Sequence, residues 1–233
     1  MTSIRAAGGT HVGLVRKRNE DALYQGQWLF AVADGLGGHV AGDVASSTAI
    51  DALKPYDRKV EPRELAESLG KAVNDANEAL RRHIRGEPQL RGMGTTMVAF
   101  MWSGDTAVLA NIGDSRAYLL RNRGCLTRIS EDHTYQHLLA GAAIVPTLPE
   151  KITRFLDGRQ DGRSPDVTRH QLHAGDRFVL CSDGLSSHVP HDVIENALQS
   201  EGDPAQAVNA LIRSALDHGG PDNVTVLVID VAE

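Results

Sequence analysis

The chain has few of the residues that mark a redox, membrane or nucleic-acid protein. Its 233 residues include two cysteines, Cys125 and Cys181. They form neither a CxxC pair nor a Cys/His spacing suited to zinc, so a reducing compartment and structural thiols are expected. Six positions after them stand Glu131 and Ser187, not arginine, which excludes a Cx5R cysteine-nucleophile phosphatase. Aromatic residues make up 4%, without the interleaving of rings and basic side chains that single-stranded nucleic acid requires. No stretch approaches the ~18 apolar residues of a membrane span, and "MTSIRAAGGTHVG" has no apolar signal core. A soluble, cytoplasmic protein is therefore expected. Lys+Arg number 24 against Asp+Glu 30, a net charge of −6, so there is no broad positive face for nucleic acid or an anionic membrane. A GxxxxGK loop and a DxDx[TV] nucleophile are absent, and "GLGGHV" has Val40 where a dinucleotide fingerprint needs its third glycine.

What is present is strand material joined by short turns. Apolar, β-branched runs occur at 28–34, 95–102, 106–114, 116–121, 177–183 and 223–231, and a further short strand is expected just after Asp21. Turns at "SGD" (103–105) and "RNRG" (121–124) suggest antiparallel pairing. Residues 62–84 open with Pro62 and repeat Leu65, Leu69, Val73, Ala76, Leu80 and Ile84 as one apolar stripe. A second helix begins at Asp203 as N-cap with Pro204 next and stops at Gly219. Helices are also expected over 41–53 and 190–199. Each long helix has one apolar face, which suits the outside of a sheet. The reading is α+β, as one domain over 1–233, with an irregular, mobile surface segment over 141–166.

Acidic residues recur at the ends of the strands. Asp34, Asp114 and Asp183 follow apolar runs, and Asp222 precedes one. Any one of them could be a turn former, the reading given to Asp105 and Asp176. As a set they could meet at one edge of an antiparallel sheet. Two like charges ~4 Å apart repel by about 4 kcal/mol at an effective dielectric of 20, so the cluster calls for protons or cations. Oxygen ligands alone favour Mg²⁺ or Mn²⁺. "VRKRNEDALY" adds Arg16, a planar fork suited to phosphate, with Glu20 and Asp21; Lys17 and Arg18 read as solvated basic surface.

"VRKRNEDA", "VADGLGGH", "GMGTT", "ANIGDSRAYLLR", "EDHT", "CSDGL" and "GGPDNVTVLV" occur in this order from residue 15 to 228. Together they resemble the bacterial branch of the metal-dependent serine/threonine protein phosphatases, the type 2C family. The resemblance implies a four-layer α-β-β-α sandwich of two antiparallel sheets flanked by helices. It implies two Mn²⁺ or Mg²⁺ ions, with Asp34 bridging them, Asp183 and Asp222 on the first, and the Gly35 carbonyl and Glu20 on the second. Asp114 matches the carboxylate used with Asp183 for a third, weaker ion. Asp21 resembles an acceptor for metal-bound water, Arg16 the phosphate clamp, and Asn223 the residue that steadies the last aspartate. The implied activity is hydrolysis of phosphoserine and phosphothreonine on proteins by water bridging two ions, without a phosphoenzyme. The implied partners are phosphorylated proteins, with serine/threonine kinases or sigma-factor regulators opposed, and a monomer is expected. A catalytically weak module that binds a phosphoprotein is the alternative, and a two-metal nuclease a more distant one.

The sequence departs from the family at three points. Leu36 stands where animal relatives have a histidine after the DG pair, which leaves His39 as the candidate general acid, against a blander surface role. His11 replaces the usual acid in "TDxG" and is expected to alter local hydrogen bonding. After "EDHT", the segment "YQHLLAGAAIVPTLPEKITRFLDG" is short and lacks the His-Pro-x-Arg-Asn stretch, so a trimmed flap is expected.

Overall fold

The computed structural model describes residues 2–37, 41–135, 151–160 and 164–232. Among these, one sheet has the strand order β1 (Ser3–His11), β11 (Val224–Ala232), β10 (Asp176–Cys181), β7 (Arg116–Arg121), β8 (Leu126–Arg128). The other runs β2 (Asp21–Gln25), β3 (Leu29–Leu36), β5 (Met97–Ser103), β6 (Thr106–Ile112), β9 (Asp166–Gln171), with the short β4 (Gly94–Thr95) paired to β3. All the pairings are antiparallel. Helices α1 (Gly42–Leu53) and α2 (Leu65–Gly86) cover the second sheet, and α4 (His191–Ser200) and α5 (Pro204–Asp217) cover the first. The four-layer sandwich is therefore observed.

The layers follow from the period of two along each strand. In β3, Leu29, Ala31 and Ala33 face α1 and α2, while Phe30 and Val32 face the other sheet. In β10 and β11, Val179, Cys181, Val224, Val226 and Val228 face α4 and α5, while Phe178, Leu180, Leu227 and Ile229 point inward. Phe100 and Phe178 meet between the sheets with ring centroids 4.9 Å apart. Central strands β5 and β6 are buried along their whole length, which is why they read as continuous apolar runs rather than alternating ones.

Expected and observed elements differ at several places. A single 3-10 turn, Pro62–Glu64, precedes α2. Strand β3 does not end at Asp34 but continues to Leu36 by pairing with β4. Asp183 opens a short helix, α3 (Asp183–Ser186), rather than closing β10. Strands β1, β8 and β9 were not expected: β1 carries Gly8 and Gly9 and alternates only weakly, and β9 ("DVTRHQ") is largely exposed. Asp176 is more than a turn former. Its buried carboxylate accepts from Arg121 Nε at 2.9 Å and from the His173 N–H at 3.1 Å. Of the segment 141–166, expected to be a mobile surface, residues 141–150 and 161–163 lie outside the described residues; in the rest Leu156 is buried and exchanges backbone hydrogen bonds of 2.9 Å with Thr95, so that part is anchored to the sheet. The Asp203 side chain accepts from Ala205 N–H at 2.9 Å, as its N-cap reading required. Among the described residues no helix is long and apolar enough to cross a membrane.

One carboxylate fixes the β2–β3 hairpin from outside. Asp57 Oδ1 accepts the N–H of Trp28 at 2.7 Å and those of Gln27 and Leu29 at 3.0 Å; Oδ2 accepts the Tyr24 hydroxyl at 3.0 Å. Burial pushes the Asp57 carboxyl up, but the bonds from Trp28, Gln27 and Tyr24 outweigh it and hold the group below the usual carboxylate range. A group with a depressed folded value contributes above its unfolded value and loses that contribution as pH falls through the folded one. We expect Asp57→Ala to cost about 1–3 kcal/mol at pH 7, with the gap from the wild type closing towards pH 3. Urea denaturation at both pH values checks this, and a gap independent of pH would contradict it.

Candidate active site

The inward faces of β2, β3, β10 and β11 turn polar at one end of the inter-sheet layer. Continuing the inward series Phe30, Val32 brings Asp34; Leu23 brings Asp21; Leu180 brings Ser182; Ile229, Leu227 brings Thr225. Asp21 and Asp34 face each other across the β2–β3 register. Ser182 Oγ donates to Asp21 Oδ2 at 2.7 Å and accepts the Thr225 N–H at 3.0 Å, so the two sheets are joined through an aspartate. Asp34 is held by its backbone: its N–H donates to Thr96 Oγ1 at 3.0 Å, and its carbonyl accepts Thr96 N–H at 2.9 Å and Thr95 Oγ1 at 2.8 Å.

The carboxylates gather here with little to neutralise them. The carboxyls of Asp34 and Asp183 lie close enough to share a hydrogen bond, which two such groups can do only when one of them holds a proton. Burial, then the charges of Asp21, Asp183 and Asp114, push the Asp34 carboxyl well above its usual range. Asp183 is raised by burial and by Asp222, Asp21 by burial against hydrogen bonds from Ser182 and Thr225, and Asp114 to about 7 by burial and Asp183. Among the described residues, Asp21 Oδ1 and Asp114 Oδ1 are buried without a hydrogen-bond partner. Such atoms are costly in isolation and ask for a cation or ordered water.

A second cradle lies beside α1. A methyl group added at Gly42 would come within 2.3 Å of Glu20 Oε2 and 3.0 Å of the Gly35 carbonyl oxygen, so these two oxygens approach the same bare backbone. A methyl group on Gly35 would meet the Gly42 carbonyl at 2.1 Å, so only glycine fits there. The donor set is oxygen throughout, spread over two neighbouring places, and it fits hard divalent ions that keep part of their water shell. Among the described residues no three His, Cys, Asp or Glu side chains already surround one point.

Arg16 Nη2 donates to Asp222 Oδ2 at 2.7 Å, while the other Asp222 oxygen accepts the Asn223 N–H at 2.8 Å. The Asn223 side chain turns away from that carboxylate. It accepts Glu20 N–H at 2.8 Å and donates to the carbonyls of Val12 and Arg18 at 2.9 and 2.8 Å, tying the Arg16 loop and Glu20 to the start of β11. His11 Nδ1 accepts the Gly13 N–H at 2.9 Å. His39 lies outside the described residues.

Sequence reasoning missed a group behind Asp114. His133 Nδ1 accepts the Gly113 N–H at 3.1 Å and its Nε2 lies 2.9 Å from Asp166, which Arg154 also grips at 2.6 Å. The signal was present in "EDHT" and "ITR", but nothing in one sequence joins His133 to Asp166 across 33 positions. Ser182 and Thr225 were missed too, although their parity with Leu180 and Leu227 places them on the inward face.

A family model described as protein phosphatase 2C matches residues 10–224. The chain belongs to the protein phosphatase 2C family. This 2C-family chain is 44% identical over 99% of its length to the serine/threonine protein phosphatase PstP of Mycobacterium tuberculosis, of which it spans 45%. It is 34% identical over 95% of its length to the serine/threonine phosphatase stp of Listeria monocytogenes, covering 93% of that protein. The crystal structure of the PstP catalytic domain in complex with two manganese ions superposes with a TM-score of 0.93 at 43% identity, over all of both chains.

If cations complete this 2C-family cluster, Mn²⁺ stabilises the folded state. About 100 Kd of ligand contributes ~2.7 kcal/mol, a shift of roughly 5–10 °C at this size. Asp34→Asn and Asp183→Asn abolish that shift. Without metal, Asp114→Asn is more stable than the wild type at pH 8. The advantage shrinks as pH falls below about 7, because a carboxyl with a raised folded value is penalised above that value and relieved by protonation. Thermal melts in chelator and in Mn²⁺ across this range check both; an unaltered Mn²⁺ shift in the variants would contradict the reading.

Proposed function

We propose that the chain is a metal-dependent phosphatase acting on phosphoserine and phosphothreonine in proteins. The observation that carries this reading is the union of a half-buried carboxylate cluster, its members crowded against one another, with an exposed arginine hydrogen-bonded to one of them. Asp34, Asp183 and Asp222 would hold one ion, Asp34 with the Gly35 carbonyl and Glu20 a second, and Asp114 with Asp183 a third and weaker one; Mn²⁺ and Mg²⁺ both suit these oxygens. When bound, such ions supply Lewis acidity and a nucleophilic water at neutral pH.

The remaining work falls to the chain's own residues. The Arg16 guanidinium is half-exposed at the rim and burial is opposed by its bond to Asp222, which leads the causes keeping it firmly cationic. Its free N–H groups can clamp two phosphoryl oxygens, and a planar fork fixes the orientation of the ester as a point charge would not. Asp21, anchored by Ser182, keeps Oδ1 free to accept a proton or a water hydrogen. No side chain need become a nucleophile: Cys181 is buried and its thiol is pushed up to about 12 by that burial. The chain is proposed to act as one catalytic unit, and His39 as the proton donor to the leaving oxygen.

Hydrolysis of p-nitrophenyl phosphate should appear with Mn²⁺ and vanish with chelator. Asp34→Ala and Asp183→Ala should abolish turnover of a phosphothreonine peptide, and Arg16→Ala should lower kcat/KM roughly 10²-fold. Steady-state assays decide; near-normal rates in either aspartate variant would defeat the proposal.

A further inference from the structure

The loop between β1 and β2 carries an apolar pair followed by three cations at the rim of the carboxylate cluster. Leu14 and Val15 are 64% and 68% exposed, and Arg16, Lys17 and Arg18 are exposed as well. Arg16, Lys17 and Arg18 line an open cavity of about 350 Å³ with Glu20 and Asn223. The loop backbone is held in place: Leu14 N–H donates to the Gly220 carbonyl at 2.7 Å, and the Asn223 amide grips the Val12 and Arg18 carbonyls at 2.9 and 2.8 Å. Fixed backbone with outward side chains is a preformed surface, which loses little entropy when a ligand settles on it. Arg16 is engaged with Asp222, yet among the described residues no carboxylate pairs with the Lys17 or Arg18 side chain. This local run of positive charge stands on a chain of net charge −6.

Resting on the phosphatase reading above, we propose that Lys17 and Arg18 select substrates, docking acidic side chains that flank the phosphorylated residue. Their Cα atoms lie at most ~7 Å from that of Arg16, the span of one or two residues of an extended peptide whose phosphate sits on the Arg16 fork. The apolar pair beside the cations suits a peptide better than a polynucleotide. Exposed ion pairs are individually weak and screened by salt, so the selectivity is modest and acts chiefly on encounter.

The test measures affinity by fluorescence anisotropy in Mn²⁺ at low salt, using peptides in which a non-hydrolysable phosphonate replaces the phosphate. The acidic-flanked peptide should bind about three- to tenfold tighter than its basic-flanked counterpart. The preference should fade at high salt, disappear in Lys17→Gln/Arg18→Gln, and reverse in Lys17→Glu/Arg18→Glu; thermal melting verifies that both variants are folded. Equal affinities in the wild type, an order unchanged in the variants, or equally tight binding of the unphosphorylated acidic peptide would each overturn the proposal. Absence of p-nitrophenyl phosphate hydrolysis in the wild type would instead overturn the activity reading, and the affinity comparison would still decide the docking one.

Discussion

Like charges are brought together here by a framework that does not need them. Asp34 stands on β3 and Asp183 opens α3 just after β10 of the other sheet, and their approach is imposed by the apolar layer beside them, where Phe30, Phe100 and Phe178 are each no more than 2% exposed. At 4 Å, two ionised carboxylates in a medium of effective dielectric ~20 repel by about 4 kcal/mol. That penalty exceeds what any hydrogen bond at this end of the sandwich returns. The core therefore holds the site in a state that is stable only when protons or cations share it. Burial first, and then this imposed proximity, raises the carboxyl groups of Asp34, Asp114 and Asp183.

The surrounding polar groups serve placement more than neutralisation. Ser182 and Thr225 join Asp21 to the opposite sheet, Thr95 and Thr96 fix the Asp34 backbone, and Asn223 binds the β1–β2 loop to the last strand. None of these carries a positive charge. Arg16 does, but it stands at the rim on Asp222, and at Asp183 its charge is outweighed by burial and by Asp222. An interior ion pair would have silenced the cluster; its absence among the described groups around Asp34 keeps the oxygens available.

Much of this was legible in the sequence because period and punctuation reflect local physics. The stripe from Leu65 to Ile84, the Asp203-Pro204 start and the Gly104 turn gave their elements closely. The acidic strand ends and the ordered motifs identified both the carboxylates and the family. Weakly patterned strands were lost: β1 owes its place to nine residues of pairing with β11 rather than to its own side chains, and β9 is an exposed edge. Asp34 looked like a strand terminus because the apolar run stops there, whereas pairing with Thr95 and Gly94 continues the strand through Gly35 and Leu36. Contacts such as His133 with Asp166, and the turning of the Asn223 amide away from Asp222, depend on three-dimensional closure that no local spacing encodes.

The most direct measurement is an anomalous difference map from crystals grown in Mn²⁺. The account predicts two strong peaks bridged by the Asp34 carboxylate, one also against Asp183 and Asp222 and the other beside the Gly35 carbonyl. A map with no peak among these oxygens, at saturating Mn²⁺ and neutral pH, would contradict it.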